Sequence, residues 1–342
     1  MNGYLLEAHS GNEGILNNPV EPIQTPKTNF SAAATPGTLY PAVPSQLAIW
    51  VALSAVYVLW GSTYLGIRFA IETIPTFFMA AARWIIAGTA MYLFARLRGA
   101  KAPARQHWLQ ATIVGTCLIV GGNGGVTFAE RYLPSGLTAL LVATVAIFLT
   151  VFGWWFRVTP RPRAAIFVAL LLGLVGVAIL SQANPNDKPT TNWNIGIAAS
   201  LFASAIFAAG SLYSRRSPRP GSAILWVGMQ MICGGILLAA IGLVMGEGAH
   251  FQLAAISPKS LWALAYLVLF GSIIGYSAYV WVARVCQPSL FGTYSFVNPV
   301  VAVLLGWIFA GEQINLQVIL GAAIVVSAVA IIVLQPGEKA RR

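Results

Sequence analysis

A stretch near the C-terminus, Pro288–Glu312 (PSLFGTYSFVNPVVAVLLGWIFAGE), repeats an earlier one, Pro134–Phe156 (PSGLTALLVATVAIFLTVFGWWF), at a constant offset of 153 residues. Gly153 falls on Gly306, Trp154 on Trp307, Phe156 on Phe309 and Leu137 on Leu290. The same offset carries Arg131 onto Arg284 and Gln182 onto Gln335. Small apolar residues coincide often by chance, so the ordered Gly-Trp landmarks carry the argument. One strongly apolar unit has been duplicated, and internal repeats of this kind are built into many membrane carriers.

Spanning a hydrocarbon core of about 30 Å takes about 20 apolar residues at 1.5 Å each. Runs of that kind lie near 47–67, 76–95, 108–127, 135–156, 164–181, 194–213, 222–244, 260–281, 288–309 and 314–334. They predict an all-α integral membrane protein of ten transmembrane helices. Residues 1–46 form a polar leader expected to be disordered and cytoplasmic, with no basic-then-apolar secretory signal. Residues 47–182 and 193–335 are the two five-helix repeats, and 336–342 is a basic tail. Five is odd, so the second repeat enters the membrane upside down, with a pseudo-two-fold axis in the membrane plane.

Charge supports that count. Charged residues make up 8% of the chain and hydrophobic ones 58%, against about a quarter charged in a soluble domain. The net charge of +11 is spread between apolar spans, which argues for contacts to anionic lipid and against nucleic acid. With the N-terminus inside, inner segments hold fifteen Lys and Arg and outer segments four, with Arg83 inside a helix. This positive-inside bias predicts cytoplasmic termini in an inner (plasma) membrane. Cys117, Cys233 and Cys286 are isolated, with no disulfide or metal spacing, and nothing calls for a cofactor.

Asn298-Pro299-Val300-Val301-Ala302 with Gly306-Trp307 and Gly311-Glu312 resembles the drug/metabolite transporter superfamily, EamA type. Leu59-Trp60-Gly61-Ser62-Thr63-Tyr64 and Pro134-Ser135-Gly136-Leu137 are similar to that family's first-half motifs. The resemblance covers about 47–335 and implies alternating access, with export of amino acids or related metabolites. Efflux of amphipathic toxic compounds is the alternative.

Polar groups inside spans are costly in lipid, so each calls for a use. Trp60, Ser62 and Tyr64 in the first helix either line a cavity or pack. Their counterparts Ser211 and Tyr213 fall at the other end of the sixth. Tyr276, Tyr279 and Tyr294 suit a flat or amino-acid-like solute, and core packing is the plainer reading. Asn123 and Gln230 read as lining or as helix-helix glue. Asn298-Pro299 predicts a broken ninth helix at the midplane, since Pro299 lacks an N–H and frees a carbonyl near residue 295. The first repeat has Val145-Ala146 there, where the family often has a proline, which argues against a strictly symmetric mechanism.

Arg83 is a candidate for an anionic group or for snorkelling. Glu130 and Glu312 are candidates for proton coupling, although an outer-surface Glu130 paired with Arg131 would stay ionised. The first helix, Leu47–Ile67, holds no Asp or Glu, unlike small multidrug members of the superfamily. Gly121/Gly125, Gly242/Gly246 and Gly271/Gly275 predict close helix packing, and the run Gly121–Gly125 alternatively a hinge.

Other classes fare worse. The histidines, His9, His107 and His250, lie outside the spans, and no acidic pair sits at membrane depth, which argues against an enzyme. No Walker loop is present for ATP-driven pumping. A channel or scramblase would not need an inverted repeat. A small-molecule substrate and the bilayer are the implied partners, and one copy holds both repeats, so a monomer suffices.

Overall fold

A computed structural model describes residues 45–157, 161, 164–181, 192–214, 216–285 and 294–334. The tails, most of the connection after residue 181 and the start of the ninth apolar run, with Cys286 and Gln335, lie outside them. The first five helices are α1 (Gln46–Ala70), α2 (Thr76–Leu97), α3 (Arg105–Ala129), α4 (Ser135–Trp155) and α5 (Ala164–Ser181). The second five are α6 (Trp193–Ser214), α7 (Ala223–Val244), α8 (Pro258–Tyr266 continuing through Leu267–Ile274 into Gly275–Val285), α9 (Tyr294–Ala310) and α10 (Leu316–Leu334). Seven are long and apolar enough to cross a membrane, and α5, α9 and α10 hold shorter apolar segments. The chain is an all-α membrane protein of two five-helix repeats.

Packing follows the duplication. Helix α2 packs on α7 and α5 on α10, each pair being repeat equivalents. Helix α1 packs on α9 as its equivalent α6 packs on α4, and α3 packs on α6 as α8 packs on α1. Every such contact has its image in the other half, as an inverted repeat requires.

Both third helices share an unusual feature. Thr116–Gly124 in α3 and Leu267–Ile274 in α8 are π-helical. Gly121 and Gly271 fall on these stretches, and their partners Gly125 and Gly275 follow directly after them. A Cβ on Gly125 would come 2.9 Å from that of Ala203, and one on Gly271 2.7 Å from Thr63 Cγ2. Close packing is what the Gly121–Gly125 run provides here. The third pair is corrected: Gly246 has φ +78° and ends α7, so only Gly242 packs, against Phe78.

The break expected at Asn298-Pro299 is also absent. Helix α9 runs unbroken from Tyr294 to Ala310 with Pro299 inside it. It is stitched there by the Asn298 amide, which donates to the Tyr294 and Tyr57 carbonyls at 3.2 Å each. The interruption lies in the other repeat, at Ala143–Thr144 of α4, where no proline stands. Thr144 Oγ1 turns back to the Leu141 carbonyl, competing with the helical ladder.

Two kinds of helix cap bear on how the repeats are joined. Helices α1, α7, α8 and α10 start on their own Ser45, Ser222, Ser257 and Asn315, whose side chains accept a main-chain N–H. Helices α2 and α4 follow Pro75 and Pro134, which offer no side-chain acceptor. Their first N–H groups are met from the other repeat. Glu247 accepts from Phe77 N at 3.0 Å and Phe78 N at 2.9 Å. Glu312 accepts from Ser135 N and Oγ at 2.7 Å and Gly136 N at 3.0 Å. A carboxylate at a helix N-terminus is favoured by the unpaired donors and by the helix dipole.

Candidate substrate cavity between the repeats

Seven helices, α1, α2, α3 and α4 of the first repeat and α6, α8 and α9 of the second, line a cavity of about 130 Å³. For scale, an apolar cavity of about 150 Å³ holds a benzene molecule, so there is room here for one small solute. Its wall is mostly apolar, and its polar groups are few: Thr63, Arg83, Asn123, Ser204, Ser295 and Asn298, with the tyrosines.

One wall is aromatic. Trp60 stacks on Tyr279 with ring centroids 4.6 Å apart, and meets Tyr294 edge-on at 5.7 Å and Tyr276 at 5.9 Å. Its indole N–H donates to the Gly271 carbonyl at 3.2 Å, inside the π-helical stretch of α8. A π-helix shifts acceptors out of the ordinary register and is frequent at functional sites. Gly275 gives the ring its room, since a Cβ there would stand 3.0 Å from the indole.

Arg83 reaches the same π-helical stretch of α8, beside Gly271 and Ser272. It is 4% exposed, its guanidinium lies over the Trp84 ring at 4.6 Å, and its Nε donates to Ser272 Oγ at 2.8 Å. That is its one hydrogen bond among the described residues. Arg83 lines the cavity, where a planar two-oxygen acceptor would match a guanidinium. Arg83 therefore does not snorkel to the surface.

The residues singled out in the sequence divide. Trp60, Tyr64, Arg83, Asn123, Tyr276, Tyr294 and Asn298 line the cavity. Asn123 also donates to the Leu118 carbonyl, five residues back in the π-helical stretch. Tyr279 stands behind Trp60. Ser62 faces away, with its hydroxyl on the Leu59 carbonyl and Tyr266 OH. Tyr213 bonds Gln110 at the far end of α6, and Gln230 is buried in α7 outside the lining. Thr63, Ser204 and Ser272 were not singled out; hydroxyls in helices give no sequence signal when most bond their own turn, as Thr63 and Ser204 do.

Glu130 is the largest departure. It is 3% exposed and does not pair with Arg131, whose guanidinium sits by the Phe128 and Tyr132 rings. Neither carboxylate oxygen has a hydrogen-bond partner. Burial pushes this carboxyl well above the usual range, and the charge of Glu312 pushes the same way. The guanidinium charges of Arg68 and Arg83, and weakly the Arg68 main chain, pull against both.

The pattern of the EamA-like transporter family matches residues 46–182 and 194–334, the two repeats. The inner membrane transporter YedA of Escherichia coli is 36% identical over 291 residues, covering 84% of this chain and 91% of its own. The transporter YvbV of Bacillus subtilis is 22% identical, covering 82% and 90%. A crystal structure of a chain 18% identical shares the fold with a TM-score of 0.56 over 83% of this chain and 96% of that one. A duplicated ten-helix frame, a cavity lined from both repeats and these matches lead to one conclusion: the chain belongs to the EamA-like transporter family and is a membrane transporter.

Proposed function

We propose that this transporter exports small amino-acid-like metabolites by alternating access from an inner membrane, with both termini cytoplasmic. The observation that carries the reading is Arg83: a buried guanidinium, with one hydrogen bond among the described residues, lining a cavity of one small solute's size. A charge at membrane depth costs about 2.5–3.5 kcal/mol on insertion scales, so its placement calls for an anionic partner. The solute's carboxylate meets Arg83, and its side chain lies along Trp60, Tyr276 and Tyr294. Asn298 ties α1 to α9 and orients that wall. Ser62 and Tyr279 act from behind it.

Solute binding in the cavity and rocking of one repeat against the other would expose the site to each side in turn. Catalysis is not part of this reading, and no cofactor enters it. The mostly apolar wall favours a second reading, efflux of amphipathic compounds, and one experiment separates the two. Purified protein in proteoliposomes is loaded with unlabelled solute and assayed for counterflow of labelled amino acids, nucleobases and dye-like cations. Saturable exchange of amino acids supports the proposal; exchange of cations alone supports drug efflux. Leak proportional to concentration overturns both in favour of a channel or scramblase.

A further inference from the structure

All four described acidic residues, Glu72, Glu130, Glu247 and Glu312, lie at one end of the helices, and that end is laced across the repeats. Glu312 holds α4, Glu247 holds α2, and Lys259 pairs with Glu72 at 2.7 Å. Thr73 meets Ser257, and Ser260 Oγ donates to the Phe69 carbonyl. At the basic end the described cross-repeat polar link is Tyr213 to Gln110. Among the described residues, the acidic end is therefore the more heavily fastened across the repeats.

Glu130 sits beneath that fastening. It lines the cleft of the acidic end with Arg68, Glu72 and Glu247. Arg68 is shared: its Nε is 3.7 Å from Glu312 Oε1, and its charge also acts on Glu130. The groups facing Glu130 are Arg68 and Tyr64 from α1, Arg83 from α2 and Glu312 from the turn after α9. Arg131 is beside it in sequence, and the adjoining parts of α4 and α6 carry no charge. Two carboxylates thus compete for one arginine, and only Glu312 is hydrogen-bonded.

We propose that Glu130 is a proton-binding site whose occupancy holds the acidic-end gate closed. The inference rests on the alternating-access reading above. A carboxylate buried with no donor to either oxygen is at ease only when neutral. Ionised, it repels Glu312 and draws Arg68 away from it, loosening the clasp on α4. When the gate opens, water reaches Glu130 and its proton affinity falls to the ordinary carboxylate range. By linkage, protons favour the closed gate and a rise in pH opens it.

The test reads the gate without a solute. Full-length protein with its three cysteines replaced carries Val142→Cys, a cavity position. A membrane-impermeant thiol reagent is applied on the side bearing Glu72. Labelling, corrected for the reagent's own pH dependence at an exposed control cysteine, is expected to rise with pH. A coupling of one pKa unit corresponds to a roughly tenfold rise. In Glu130→Gln it stays at the low level at every pH, and in Arg68→Gln it is high at every pH. A corrected pH rise retained in Glu130→Gln, or labelling of Arg68→Gln equal to that of its parent, overturns the proposal. Counterflow that succeeds while labelling ignores pH sinks this inference alone; a gate that responds while no solute exchanges sinks the transport reading alone.

Discussion

Arg83 and Glu130 are the two residues whose burial has to be explained by use. Replacing Arg83 by Gln keeps a polar group but removes the charge-assisted contacts, which are worth about 1.5–3 kcal/mol each. Counterflow should then show KM for carboxylate-bearing solutes raised by roughly ten- to hundredfold. Arg83→Lys should not rescue it, because an ammonium lacks the planar fork. The sequence named Arg83, yet could not say that Ser272 would hold it off the surface. Glu130 was misread because Arg131 adjoins it in sequence. Helical spacing was the better guide: Asn123 and Val126 line the cavity, and Glu130, at steps of three and four, continues the same face.

Among the elements, the two π-helical stretches shape the cavity most. Gly271 sits where a Cβ would come 2.7 Å from Thr63 and 3.1 Å from Arg83 Nη2. Gly271→Ala is expected to cost about 1–3 kcal/mol by overpacking and to displace Arg83. Thermal unfolding in detergent together with counterflow checks both effects. Gly221→Ala, with nothing within 4 Å, serves as a control that should unfold as the parent does. Glycine pairs were visible in the sequence, but π-helicity was not. Apolar runs fixed the number and placing of the spans well, since length and hydropathy decide them. They missed which of α4 and α9 would be interrupted, because a threonine turning onto its own backbone did in one repeat what a proline failed to do in the other.

At the scale of the whole molecule, the long-range carboxylate caps join the halves. Glu312 and Ser135 are 177 residues apart, and both stood in the motifs that carried the family resemblance; that they touch was not legible. Losing a cap of this kind costs about 0.5–2 kcal/mol. In Glu247→Gln and Glu312→Gln, hydrogen exchange should quicken by roughly two- to thirtyfold at the start of α2 and of α4 respectively. The amides of Leu225 and Val318, capped by their own Ser222 and Asn315, should be unaffected; equal quickening there would mean general loosening in place of an opened clasp.

These caps also bear on how a duplicated protein acquires a direction. Two identical repeats related by an inverted two-fold would carry the same fastening at both faces, and neither face would be preferred. Here the residue matching Glu312 at the 153-residue offset is Thr159, which is not acidic, so the carboxylate fastening is not repeated at that position. On the alternating-access reading proposed above, the two access states are then unequal in energy, and the acidic face is the more firmly fastened.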